Sequence, residues 1–191
     1  MLNHKGTIEI ETERLLLRRF KREDAKDMYL NWANDSEVTR FLQWVPHRSI
    51  EDTQEILETW VTSYSSMEVY SWAMVLKDKE KVIGSIGVVN RFDQHRICEL
   101  GYCSGREYWN KGFMSEALRG VIEYLFTEVG YNRLEAIHHS ENIASGRVML
   151  HAGMLHEGKL RDYRMNNAGD LVDCDMYSVL LREVKGTNRK E

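Results

Sequence analysis

The sequence predicts an α/β (α+β) chain with a mixed, mostly antiparallel central sheet of about seven strands flanked by about four helices. Three observations predict it. At 191 residues, 42% hydrophobic and 10% aromatic, the chain can bury one sizeable core. Segments with the two-residue period of strands alternate with segments of helical period along its length. No repeat, linker or low-complexity tract interrupts them, so residues 1–191 read as a single domain with a core at about 7–183 and a short polar C-terminal tail.

In chain order, Leu15, Leu16 and Leu17 flanked by charge predict a strand over Arg14 to Phe20. Ala25, Met28, Tyr29 and Trp32 predict a helix within Lys21 to Asn34, with Glu23 and Asp24 suited to its first turn. The only proline, Pro46, precedes a second helix, which Ser49-Ile50-Glu51-Asp52 opens in the pattern of a capping box; Ile56, Trp60 and Tyr64 mark one face. Tyr70 to Leu76 and Val82 to Val89 read as a β-hairpin about the charged turn Lys77 to Lys81, and a third strand follows over Arg96 to Cys103. Phe113, Ala117, Val121 and Leu125, with Met114, Leu118, Ile122 and Phe126 beside them, make an amphipathic helix with a wide buried face. Then come a strand at Arg133 to His139, a short helix from about Ile143 to Ala152, and closing strands near Leu155 to Arg164 and Leu171 to Leu181.

Charge and cysteine content narrow the classes. With 26 basic and 30 acidic residues, a formal charge of -4, the chain lacks the basic footprint of a nucleic-acid binder. Three cysteines, Cys98, Cys103 and Cys174, are odd in number and without C-x-x-C spacing, which argues against a disulfide framework and a zinc site. Neither Cys98 nor Cys103 has a histidine at the spacing of a nucleophile pair. His138 and His139, adjacent on a strand, point to opposite faces and cannot readily share a metal, so no metal is expected. No run of ~18 apolar residues occurs, so no membrane span is expected, and a reducing cytoplasm is the expected location.

The stretch GREYWNKGFMSEALRGVIEYLF, starting at Gly105, passes from a polar loop into the long helix. No Ser, Thr or Asp stands where an N-cap belongs, and Gly112 sits where backbone N–H groups are left without partners. Such a start either receives an anion or merely eases a turn into a core helix.

Further segments bear on that choice: Cys98-Glu99-Leu100-Gly101-Tyr102 before the loop, Tyr108-Trp109-Asn110-Lys111-Gly112-Phe113 and Glu116-Ala117 around it, and Ser140-Glu141-Asn142-Ile143-Ala144-Ser145 with Gly153-Met154 and Glu157-Gly158 after it. Together with Glu13-Arg14-Leu15-Leu16-Leu17-Arg18 and Asn132-Arg133-Leu134-Glu135-Ala136, they resemble the GNAT superfamily of acetyltransferases over about residues 7 to 183. The resemblance is closest to the branch of ribosomal-protein N-terminal acetyltransferases. It implies a GNAT-like domain with splayed strands at the cofactor site, acetyl-CoA as the donor, and a loop from Arg106 to Met114 that cradles the phosphates of coenzyme A. Arg106, Trp109, Asn110, Lys111, Gly112, Phe113 and Met114 are thereby expected at the cofactor, with Leu100, Gly101, Tyr102, Asn142 and Ser145. Asn110 replaces a glycine common in the branch, and Met114 stands where the wider family often has glycine or alanine.

Acetyl transfer from a thioester to an amine needs a neutral amine, a polarised carbonyl, a positioned thioester and an acid for the departing thiolate. The resemblance supplies Glu99 as general base, directly or through water; the alternative reading of the residue is a strand glutamate that faces solvent or pairs with a nearby arginine. It supplies Ser145 as proton donor, though Asn142 and Ser145 also fit a helix cap. Many relatives carry a tyrosine as the acid on this helix, where Met149 stands here, and His151 occupies a place where the branch often has lysine. Gly101 is expected to let the cofactor approach closely. Of Trp32, Phe41, Trp44 and Trp60, most are expected in the core and one or two along the acceptor pocket.

The expected activity is acetyl-CoA-dependent N-acetylation of a primary amine, foremost the α-amine of a protein, with ribosomal proteins among the candidates. A small amine such as a polyamine, amino acid or drug is the alternative, and a non-catalytic acyl-CoA sensor a further one; retention of both Glu99 and Ser145 favours the enzyme. A nucleotide-binding oxidoreductase would need G-x-G-x-x-G after a strand, which the loop does not supply. Neither nucleic acid nor membrane is an expected partner, and a homodimer is left open.

Overall fold

The computed structural model describes residues 1–187. Strands β1 (Ile10–Glu11), β2 (Leu15–Arg18), β3 (Ser71–Leu76), β4 (Lys81–Phe92), β5 (Ile97–Ser104), β6 (Arg133–His139), β7 (Leu155–Met165) and β8 (Leu171–Leu180) form one sheet in the order β1-β2-β3-β4-β5-β6-β8-β7. Helices α1 (Ala25–Met28), α2 (Ser36–Thr39) and α3 (Ile50–Ser63) lie between β2 and β3, and α4 (Phe113–Tyr124) between β5 and β6. Helix α5 (Ile143–His151) joins β6 to β7, and α6 (Leu181–Thr187) follows β8. Among the described residues only β5 and β6 pair in parallel, and α4 provides the crossover which that pairing requires.

Both faces of the sheet are covered, so its central strands are apolar on both sides. Trp72 and Met74 on β3 join Leu100, Leu134 and Ala136 beneath Ala117, Leu118 and Val121 of α4. Ala73 and Val75, alternating with them, face Met28, Trp32 and Leu57 on the side of α1 and α3. Burying a side chain of this size contributes about 1.5–3 kcal/mol, so the two layers fix the sheet against its helices.

Several boundaries differ from the expected ones. The sheet has eight strands, because β1, two residues opposite Leu16 and Leu17, is too short to show a period in sequence. The helix expected within Lys21 to Asn34 begins as a 3-10 turn at Arg22–Asp24 and ends as a wide π turn at Tyr29–Ala33, leaving α1 as one α-helical turn. The four-residue α2 was not foreseen; the Asp35 side chain caps it by accepting from the Glu37 N–H. Ser49 and Asp52 do close the capping box of α3, but the buried face of that helix runs through Thr53, Leu57 and Tyr64, and Ile56 is exposed. Helix α6 takes the start of the expected polar tail, whose residues 188–191 lie outside the described residues.

Two irregularities position the site. Pairing between β5 and β6 runs from Ile97↔Arg133 to Leu100↔Ala136 and stops, although the strands continue to Ser104 and His139. On the other side of β5, the register slips between Val88↔Leu100 and Asn90↔Glu99, so Val89 is an extra residue in a bulge.

Candidate active site

A cleft of about 860 Å³ passes through the sheet where β5 parts from β6. On the α4–α5 side it is lined by Tyr102, Asn142, Ser145 and Met149, and on the α1–α3 side by Glu99, Trp60, His139 and Arg164. The β7–β8 turn spans the second side: the Asn167 amide donates to the carbonyls of Thr39 at 3.0 Å and Trp44 at 3.4 Å.

Glu99 is 5% exposed, and both its oxygens are engaged. Asn90 Nδ2 donates to Oε2 at 2.9 Å, an approach set by the Val89 bulge, which turns Asn90 toward Glu99. Arg164 Nη2 donates to Oε1. Each oxygen retains a lone pair for a donor arriving from the cleft. Arg164 was not singled out in the sequence. It reaches the cleft because β7 carries surplus residues: Leu160 stands opposite Cys174 and Arg164 opposite Val172, so Arg161, Asp162 and Tyr163 share Asp173. Asp162 takes a left-handed conformation, φ 48°, and its N–H is satisfied by the Asp173 carboxylate.

Across the split, Asn142 caps α5 by accepting the Ser145 N–H at 3.3 Å, so the cap reading is correct for Asn142. Ser145 Oγ lies 3.0 Å from Tyr102 Oη, which also donates within 3.1 Å of the Ser145 carbonyl. Burial pushes the Tyr102 phenol well above its ordinary range, so it stays protonated. A phenol from β5, that of Tyr102, thus stands beside Ser145 in the cleft. Met149 fills the helix position and is buried, whereas His151 is exposed. The Cβ that Gly101 lacks would meet Val89 Cγ1 at 2.7 Å. Its smallness therefore makes room for the bulge, while the residue itself lines the cleft.

The loop before α4 behaves differently from residue to residue. Gly112 is its N-cap at φ 80° with no side-chain cap, which leaves the first amides of α4 free of an intrachain side-chain acceptor. Asn110 takes φ 58°, a conformation asparagine tolerates and glycine favours, so the substitution preserves the turn. Arg14 holds the loop from below, donating from Nη1 to the Lys111 carbonyl at 3.0 Å and lying 4.4 Å over the Phe113 ring. Arg106 is paired with Asp35 at 2.6 Å, Trp109 Nε1 donates to the Ser104 carbonyl at 2.8 Å, Lys111 is exposed and Met114 is core.

The structure thus brings Glu99, Leu100, Gly101, Tyr102, Asn142 and Ser145 to one cleft. The loop residues Arg106, Trp109, Asn110, Lys111, Gly112, Phe113 and Met114 do not line it; they sit at the start of α4, which Ser115 Oγ joins to the Val148 carbonyl of α5 at 3.3 Å. All four of Trp32, Phe41, Trp44 and Trp60 line the cleft, more than the one or two expected, because α2 and its following loop fold over its mouth. His138 and His139 do face opposite ways: His138 is buried against Tyr177, with Nε2 unpartnered among the described residues, and His139 packs on Phe41. Burial raises the Cys103 thiol to about 11 and raises those of Cys98 and Cys174. Such thiols are structural rather than nucleophilic. No helix among the described residues is long and apolar enough to cross a membrane.

A parted parallel pair beside an uncapped, glycine-led helix defines a class, and residues 14–155 match the family model of the acetyltransferase (GNAT) domain. The chain belongs to the GNAT family of N-acetyltransferases, whose fold uses acetyl-CoA. It is 34% identical over 171 residues to the uncharacterized N-acetyltransferase YoaA of Bacillus subtilis (strain 168), covering 90% of this chain and 96% of YoaA. It is 33% identical over 88 residues, 45% of each chain, to the [ribosomal protein uS5]-alanine N-acetyltransferase of Escherichia coli (strain K12). The crystal structure of a GNAT-family acetyltransferase from Bacillus anthracis superposes with a TM-score of 0.80 at 27% identity, covering 92% of this chain and 99% of that one.

Proposed function

We propose that the chain transfers an acetyl group from acetyl-CoA to the α-amine of a protein amino terminus by direct attack. The observation that carries the reading is the placement of a carboxylate, Glu99, and a hydroxyl pair, Ser145 and Tyr102, on opposite sides of the β5–β6 split. The uS5-alanine relative supports a protein acceptor, and so does the resemblance to its branch.

The free amides at the Gly112 end of α4 suit the diphosphate, and the unpaired edge of β5 beyond Leu100 suits the amide-bearing arm of the cofactor. Acetyl-CoA, when bound, supplies an acyl group activated by its bond to sulfur. Glu99 accepts a proton from the incoming ammonium, directly or through one water, and leaves a neutral amine. A β5 N–H polarises the carbonyl. The Ser145 hydroxyl gives its proton to the departing thiolate and recovers one from the nitrogen, which sheds its second proton as the amide forms; Tyr102 Oη, 3.0 Å away and kept protonated by burial, holds the serine in place. A turnover screen with acetyl-CoA against N-terminal peptides, lysine peptides and small amines tests the reading. Turnover on N-terminal peptides is expected; turnover of spermidine with none on any such peptide would replace the acceptor, and none on any amine would overturn the activity.

A further inference from the structure

We infer that Arg164 selects the acceptor: the cleft takes amines with an oxygen on the adjoining carbon unit, that is, α-aminoacyl compounds, rather than polyamines or lysine side chains. This rests on the reading of the cleft as an amine acetylation site.

The argument begins with what Arg164 has left to give. A guanidinium carries five N–H donors in one plane. Arg164 spends Nη2 on Glu99 Oε1, and among the described residues its other guanidinium nitrogens make no hydrogen bond. The side chain is 26% exposed and lines the cleft, so these donors face the space the acceptor must occupy. Because Arg164 and Glu99 are bonded to each other, an amine donating to Glu99 has its α-substituent beside the guanidinium. In an α-aminoacyl group the nitrogen and the carbonyl oxygen are about 3 Å apart, a span that lets one molecule bridge the carboxylate and its arginine.

The rest of the lining disfavours the alternatives. Among the described residues lining the cleft Glu99 is the only carboxylate, and Arg164 already neutralises it. A second ammonium, as on a polyamine, would find no anionic partner there. His47 is held uncharged by burial, which lowers its pKa, and its Nδ1 is engaged with Thr53 Oγ1 at 2.7 Å. The walls at this end are aromatic, formed by Phe41, Trp44 and Trp60, which suits an apolar residue behind the amine.

The test compares kcat/KM, corrected for the fraction of free amine, for an alanine-initiated peptide, alaninamide, free alanine, isopropylamine and spermidine. Isopropylamine is alaninamide with a methyl group in place of the carboxamide. The wild-type protein is expected to favour the best α-aminoacyl acceptor over isopropylamine and spermidine by about tenfold or more, the discrimination expected when a polar group is left without its partner. Whether the peptide or free alanine is best separates a protein source from a metabolite. In Arg164→Met the preference should collapse to within about threefold, and Arg164→Lys should retain part of it. Glu99→Gln should lower all acceptors together and leave the preference intact. Equal turnover of isopropylamine and alaninamide by the wild type would overturn the inference while leaving the acetyltransferase reading in place. So would an Arg164→Met variant that loses both acceptors equally, since Arg164 would then only hold Glu99. Absence of turnover on every amine would remove the reading and this inference with it.

Discussion

Glu99 is a buried carboxylate with a hydrogen bond on each oxygen, yet both bonds come from residues of the cleft wall rather than the core. That arrangement fixes the direction of the lone pairs, which matters more to a proton acceptor than freedom does. Glu99→Gln is expected to lower turnover by about 10²–10⁴-fold with coenzyme A affinity unchanged, and to recover rate as pH rises toward the amine's own pKa. A pH–rate profile checks it; wild-type turnover across the range would make the glutamate structural. Ser145→Ala should slow turnover with little recovery at high pH, because raising pH supplies free amine but no proton for the thiolate; recovery parallel to that of Glu99→Gln would assign the donor elsewhere. Glu99 and Ser145 were legible because they fall inside segments whose order marks the family. Arg164 was not: its inward direction depends on three β7 residues sharing one position on β8, and strand alternation in sequence cannot show a surplus defined by the partner strand.

Among the elements, α4 was read almost whole, since its buried stripe is a local property of the sequence, and so was the uncapped start. The bulge at Val89, the two-residue β1 and the parting of β5 from β6 were not readable from periodicity, because each is a relation between distant segments; the parting was expected from the family resemblance alone. The N-terminus of α4 carries its own prediction. At Gly112, φ 80° is strained for any side chain, and a Cβ there would lie 3.4 Å from Arg14 Nη2. Gly112→Glu adds to this a negative charge at the proposed diphosphate site and is expected to abolish coenzyme A binding in a folded protein. Calorimetry with a circular-dichroism control decides it: undiminished affinity would place the phosphates elsewhere.

At the scale of the molecule, Glu116 ties the first strands to the central helix. Thr12 Oγ1, the Arg14 N–H and Arg14 Nε donate to its carboxylate at 2.6, 2.7 and 2.7 Å. Burial alone would raise its pKa, but these bonds outweigh burial and hold the group below its ordinary value of 4.5. A carboxylate depressed on folding adds stability that is full above the unfolded value and fades as pH falls through the folded one. Glu116→Gln is therefore expected to cost roughly 2 kcal/mol at neutral pH and progressively less below pH 4.5, seen as converging denaturant midpoints. A constant difference down to pH 2 would mean that charge has no part in the tie.

The opening through the sheet has a kinetic consequence. With the hydroxyl pair on one side and the carboxylate on the other, the proposed reaction gives donor and acceptor opposite sides of the cleft, so that neither would have to leave before the other arrived. Initial-rate lines should intersect rather than run parallel, and coenzyme A should compete with acetyl-CoA but not with the amine.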